Sequence, residues 1–141
     1  MSHDEGAASL ACTRELLNAA RTALECYQDV TVDDDGSLSF RHSEVPCAVQ
    51  AVELLEGLVM LSLTCVVAWD VVDDGELAER VATRAGRGLF GTLGLVRTER
   101  GADVTLRYAF PAAGLSTVAL GTLLMLVVSA ASQMRGELLV T

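Results

Sequence analysis

Four cysteines, two histidines and a run of three aspartates are the residues of this 141-residue chain whose types could carry chemistry. Cys12, Cys26, Cys47 and Cys65 stand 14, 21 and 18 residues apart, so there is no Cys-x-x-Cys pair, and neither His3 nor His42 is spaced to complete a zinc site. The N-terminus has no basic region, apolar core and cleavage site of the signal-peptide kind, which sets the expectation of reduced, buried thiols in the cytoplasm. Asp33-Asp34-Asp35-Gly36 invites comparison with a calcium loop. Placing Gly36 at the sixth position puts Thr31 at the first ligand and His42 at the twelfth, where an Asp and a bidentate Glu are required, so the segment reads as a turn. Gly91 and Gly94 lie inside a strand pattern and open no helix, which excludes a nucleotide fingerprint. No Ser, Cys or carboxylate stands in a catalytic spacing with either histidine. The expectation is a protein that is not an enzyme and carries neither metal nor cofactor.

The elements around these residues are dominated by one stretch. Tyr108 to Met134 is twenty-seven residues without a charge, flanked by Arg107 and Arg135. Val104, Leu106, Tyr108 and Phe110 alternate with Asp103, Thr105, Arg107 and Ala109, so the first residues of the stretch close a strand. Pro111 and Gly114 then break the chain, Ser116 or Thr117 can cap a helix, and Arg135-Gly136 offers a stop, giving a helix over Leu115 to Met134. Thr122, Ser129, Ser132 and Gln133 form its weak polar stripe. An apolar arc of that width calls for a second subunit or lipid beside the sheet.

The remaining order follows from period and punctuation. Residues 1–6 read as a frayed tail, and Leu10, Leu17 and Leu24 recur beside Leu16, Ala20, Ala23 and Tyr27 in an amphipathic helix. Short strands at Val30–Val32 and Leu38–Phe40 flank the aspartates. Cys47–Leu55 and Leu58–Val72 are joined at Glu56-Gly57; the second run is apolar on both faces and so expected to be central and covered twice. Asp73-Asp74-Gly75-Glu76 opens a helix with Leu77, Val81 and Ala85 on its inner edge, and Leu89–Val96 is a strand whose two glycines allow another backbone or a bulge nearby. The chain is expected to form one α+β domain with helices against an antiparallel sheet, large enough to bury a core unaided.

With 51% hydrophobic residues and a net charge of −9, the chain is apolar inside and acidic outside, which argues against nucleic acid as a partner. The order of elements resembles the YbjN-like family and the type III secretion chaperone-like fold. The resemblance is carried by the acidic-capped helix from Asp73, by Leu89-Phe90-Gly91-Thr92-Leu93, and by a strand ending in Phe110-Pro111-Ala112-Ala113-Gly114-Leu115-Ser116 before the apolar helix. Arg84-Ala85-Gly86-Arg87 stands where such proteins often carry an asparagine. The resemblance implies the element order α-β-β-β-α-β-β-α and a dimeric, peptide-binding or chaperone-like module, with Leu77, Val81, Leu89 and Phe90 as dimer contacts. From the apolar phases of adjacent elements, Leu17, Leu24, Val30 and Phe40 are the expected lining of a groove for a protein or peptide segment, basic or unfolded in character. A tail-anchored membrane protein held by residues 115–134, or an enzyme with an unrecognised site, is the alternative.

Overall fold

The computed structural model describes residues 2–88 and 90–139, with the side chains of residues 2–12 outside the description. Nine elements follow in order: α1 (Ser2–Glu25), β1 (Thr31–Val32), β2 (Leu38–His42), β3 (Val45–Leu55), β4 (Leu58–Val71), α2 (Glu76–Ala85), β5 (Thr92–Thr98), β6 (Gly101–Pro111) and α3 (Thr117–Leu139). The strands form one six-stranded antiparallel sheet in the order β1-β2-β3-β4-β6-β5. The architecture is therefore α+β, with three helices and an antiparallel sheet. It carries four strands before α2 where the resemblance implies three, the additional one being the two-residue β1.

By its contacts the chain groups into two compact units. One comprises Met1–Phe40, Ala48–Leu63 and Ala109–Met125, the other Arg41–Cys47, Thr64–Tyr108 and Leu126–Thr141.

In the first unit, α1 is helical from Ser2, where a frayed tail was expected over residues 1–6. Its buried stripe is Leu16, Ala20, Ala23 and Leu24, at intervals of four, three and one. Leu17 is only half-buried because a straight helix drifts ~20° per seven residues, so a seven-residue leucine repeat does not stay on one face. The α1 helix meets α3 where both carry small residues: a Cβ on Gly121 would lie 3.4 Å from Ala23 Cβ. The aspartate turn between β1 and β2 is self-contained. Asp33 accepts from the hydroxyls of Ser37 and Ser39, and Asp35 Oδ1 accepts from the Ser37 amide at 3.0 Å and the Ser37 hydroxyl. The Ser37 hydroxyl, and after it the Ser37 amide, hold the Asp35 carboxyl below the usual carboxylate range.

In the second unit, Asp74 Oδ1 accepts from the Glu76 and Leu77 amides, both at 3.1 Å, so α2 starts on an aspartate as its sequence indicates. Of its expected inner edge, Leu77 and Val81 are buried while Ala85, in the last turn, is exposed, and the helix packs on β5. The β5 strand begins at Thr92, later than Leu89, because Gly91 (φ 86) turns the chain first. A Cβ there would come 3.0 Å from the Arg107 carbonyl oxygen, the close backbone approach that the glycines of this segment permit. From Thr92↔Arg107 to Thr98↔Gly101 the β5–β6 register is unbroken.

The α3 helix is long and apolar enough to cross a membrane by length and composition. Ser116 Oγ accepts from the Ala119 amide at 3.1 Å and caps it. Leu120, Leu124, Val127, Val128 and Ala131 are buried, while Thr122, Ser129 and Gln133 of the polar stripe are exposed together with Val118 and Leu126. The helix does not stop at Arg135-Gly136 but continues to Leu139. The reason is that Arg135 turns inward. Its guanidinium carbon lies 4.6 Å from the centroid of the Trp69 ring, Nη1 donates to the Val67 carbonyl at 3.1 Å, and Nη2 is 4.0 Å from Glu44. A residue expected to end the helix instead ties its last turns to β4.

On β4, Leu61, Leu63, Cys65 and Val67 are buried, but Met60, Ser62, Thr64 and Val66 are only half-buried. The strand is central in the sheet order, and its second side is less covered than two apolar faces suggest.

Candidate functional site

Of the four residues expected to line a partner groove, Leu24 and Phe40 are buried within the chain, Leu24 with no exposed surface at all. Leu17 and Val30 are half-buried. Two of the four therefore have little or no surface to offer a partner. Of the expected dimer contacts, Leu77 (1% exposed) and Val81 are turned inward, since the apolar stripe of a ten-residue amphipathic helix is taken up by its own sheet. Any pairing of two copies through α2 would have to use its other face. Phe90 is half-buried and meets Tyr108 edge to face, ring centroids 6.3 Å apart and planes at 89°; Leu89 lies outside the described residues.

Apolar surface is concentrated elsewhere, at the end of the β3–β4 hairpin. Val52, Leu54, Leu55 and Leu58 are all exposed, Leu54 at 59% and Leu55 at 70%. Successive strand residues point to opposite faces, so exposure of both Leu54 and Leu55 means that neither side of the hairpin end is covered. Burying a leucine is worth about 1.5–3 kcal/mol, which each of these two largely forgoes. Exposed Glu53 and Glu56 interleave with them. The sequence signal was the adjacent pair Leu54-Leu55 beside the turn, since one of two neighbouring strand residues must face away from any single core layer.

Concave surface lies between α2 and the last turns of α3. A cleft of about 320 Å³ is lined by Arg84, Arg87, Phe90, Gln133, Met134 and Glu137. One of about 410 Å³ shares Arg84, Arg87 and Glu137 and adds Glu76, Glu79 and Arg80. Arg84 Nη1 pairs with Glu137 Oε2 at 2.6 Å, while Arg80 Nε is buried without an acceptor. The Arg80, Arg84 and Arg87 guanidinium groups and the Glu76, Glu79 and Glu137 carboxylates line these clefts together, so what they offer is ion pairing. His42 lies at the end of β2 and not in the turn that follows it. Among the described residues no group of three or more His, Cys, Asp or Glu could hold a metal ion. The cysteines that the chain brings together are Cys47 and Cys65, free thiols with sulfurs 3.5 Å apart; Cys26 is exposed on the last turn leaving α1.

No family model and no curated protein matches the chain. Among solved structures it is similar to a chain in the crystal structure of the ExsC–ExsE complex, at 21% identity and a TM-score of 0.61, over 89% of this chain and 95% of that one. The likeness is one of fold.

Proposed function

We propose that the chain is a non-enzymatic protein- or peptide-binding module of chaperone or adaptor character, acting as a homodimer in the cytoplasm. The observation that carries this reading is the pair Leu54 and Leu55, exposed on both sides of a hairpin end together with Val52 and Leu58. Solvent-exposed leucines in one continuous chain segment are a cost to a protein that works alone and an anchor to one that docks a partner. The likeness to a fold seen in a two-protein complex supports the same class of function. The acidic surface, with Glu53 and Glu56 among the leucines, favours a basic segment as the partner by speeding encounter with it.

The test is affinity capture from native extract with the natural chain and with a Leu54→Ser, Leu55→Ser double variant. Because both side chains are already exposed, the variant is expected to keep its melting temperature and lose the captured protein at least tenfold. Unchanged capture would move the binding surface elsewhere, and no specific capture by either form would end the reading. Light scattering on the same samples is expected to give twice the chain mass; a monomer at micromolar concentration would remove the dimer.

Membrane anchoring by α3 remains the competing reading, because the helix has the required length and composition. Its wholly buried Leu124, Val127 and Val128 favour a protein surround for that face. The chain is accordingly expected in the supernatant without detergent, and retention in carbonate-washed membranes would reverse the assignment.

A further inference from the structure

Cys47 on β3 and Cys65 on β4 belong to neighbouring strands, and their side chains are 5% and 0% exposed. Cys47 Sγ lies 3.5 Å from Cys65 Sγ and also 3.5 Å from the Val45 carbonyl oxygen. A disulfide needs its sulfurs about 2.05 Å apart, so each sulfur would have to move by less than about 1 Å. Two cysteines eighteen residues apart in the chain have no local reason to meet; the antiparallel hairpin brings them together. We propose that Cys47 and Cys65 are a disulfide-forming pair, oxidised to an intramolecular link between β3 and β4 by a small disulfide of the glutathione class.

The reaction balances as two exchanges. Cys47, the thiol with residual exposure, loses its proton and attacks one sulfur of oxidised glutathione, forming a mixed disulfide and expelling one glutathione thiolate. Cys65 then loses its proton and attacks Cys47 Sγ, the new protein S–S bond forms, and the second glutathione leaves as thiolate. The two protons released from the cysteines protonate the two leaving thiolates, the protein is oxidised by two electrons, and glutathione disulfide is reduced to two thiols. The Cys65 sulfur beside it and burial hold the Cys47 thiol protonated far above the ordinary thiol range, so the first exchange is slow and proceeds through transient opening. A reducing cytoplasm keeps the pair open, and an oxidising environment closes it. The bridge would close the chain segment from 47 to 65, which includes the hairpin end, and so restrict the unfolded state.

The purified chain, incubated natively with excess oxidised glutathione, blocked with N-ethylmaleimide and mapped without reduction, is expected to lose two hydrogens and give one linked peptide pair containing Cys47 and Cys65. Its melting temperature should rise by roughly 5–10 °C and fall back on reduction. Cys26→Ser should leave both results unchanged, and Cys65→Ala should stop the reaction at a glutathione adduct on Cys47. Free, alkylatable Cys47 and Cys65 after oxidation, a bridge to Cys12 or Cys26 in their place, or a 47–65 bridge that forms only in denaturant would each overturn the proposal.

Discussion

Replacing Gly101 with alanine is expected to destabilise the fold by about 2–6 kcal/mol. Gly101 starts β6 with φ 133, a conformation that costs a side-chain-bearing residue of order 1–3 kcal/mol. A Cβ at that position would sit 2.5 Å from the Val71 carbonyl oxygen, so the end of β4 must also move, at a further ~1–3 kcal/mol. That end is itself irregular. Asp70 has φ 52 and its amide donates to the Asp103 carboxylate at 3.0 Å, while Arg97 pairs with Asp73 at 2.8 Å across the same corner. Gly57→Ala is the proper reference, because Gly57 has φ 83 but nothing within 4 Å of the added carbon. It should cost about 1 kcal/mol from backbone conformation alone. Urea melts of the two variants measure the difference; equal midpoints would mean that the turn relaxes away from Val71 without penalty.

Leu24→Ala is expected to cost ~2–5 kcal/mol, and Leu17→Ala about 1 kcal/mol. The two leucines differ by one heptad in sequence, yet Leu24 is fully enclosed beside Ala20 and Ala23, whereas Leu17 lies at the edge of the buried stripe. The same pair decides the fate of the groove between α1 and the first strands. If Leu24 is core, as its burial indicates, the variant melts early and partner capture falls only in proportion to the unfolded fraction. Full stability with lost capture would restore Leu24 to a binding surface. Circular dichroism melts combined with the capture assay read both quantities from one preparation.

Features set by near neighbours in the chain are legible in the amino-acid order, whereas those set by distant residues emerge only in the fold. Period-two alternation from Ala102 to Phe110 needed no context to be recognised, because one side of a strand must be apolar when a core lies beneath it; Ala102, Val104, Leu106 and Phe110 are indeed buried. Asp74 and Ser116 announced two helix starts for an equally local reason, since an unpaired backbone amide takes the nearest side-chain acceptor. The ends of elements were less legible where distant residues intervene. Gly136 after a cationic residue is a stop signal in isolation, but Arg135 packs on Trp69 and donates to the Val67 carbonyl, and α3 runs on through Gly136 to Leu139. The expected groove and dimer contacts mix buried with half-buried residues for a related reason: hydrophobicity states that a side chain gains by burial, not whether its own chain or another protein buries it. For Leu24, Phe40, Leu77 and Val81 the chain itself does so, whereas Leu54 and Leu55, equally apolar, are carried past the covered part of the hairpin by the length of β3 and β4. Likewise the sulfurs of Cys47 and Cys65 meet through strand pairing, a relation between residues far apart in the chain that no local spacing encodes.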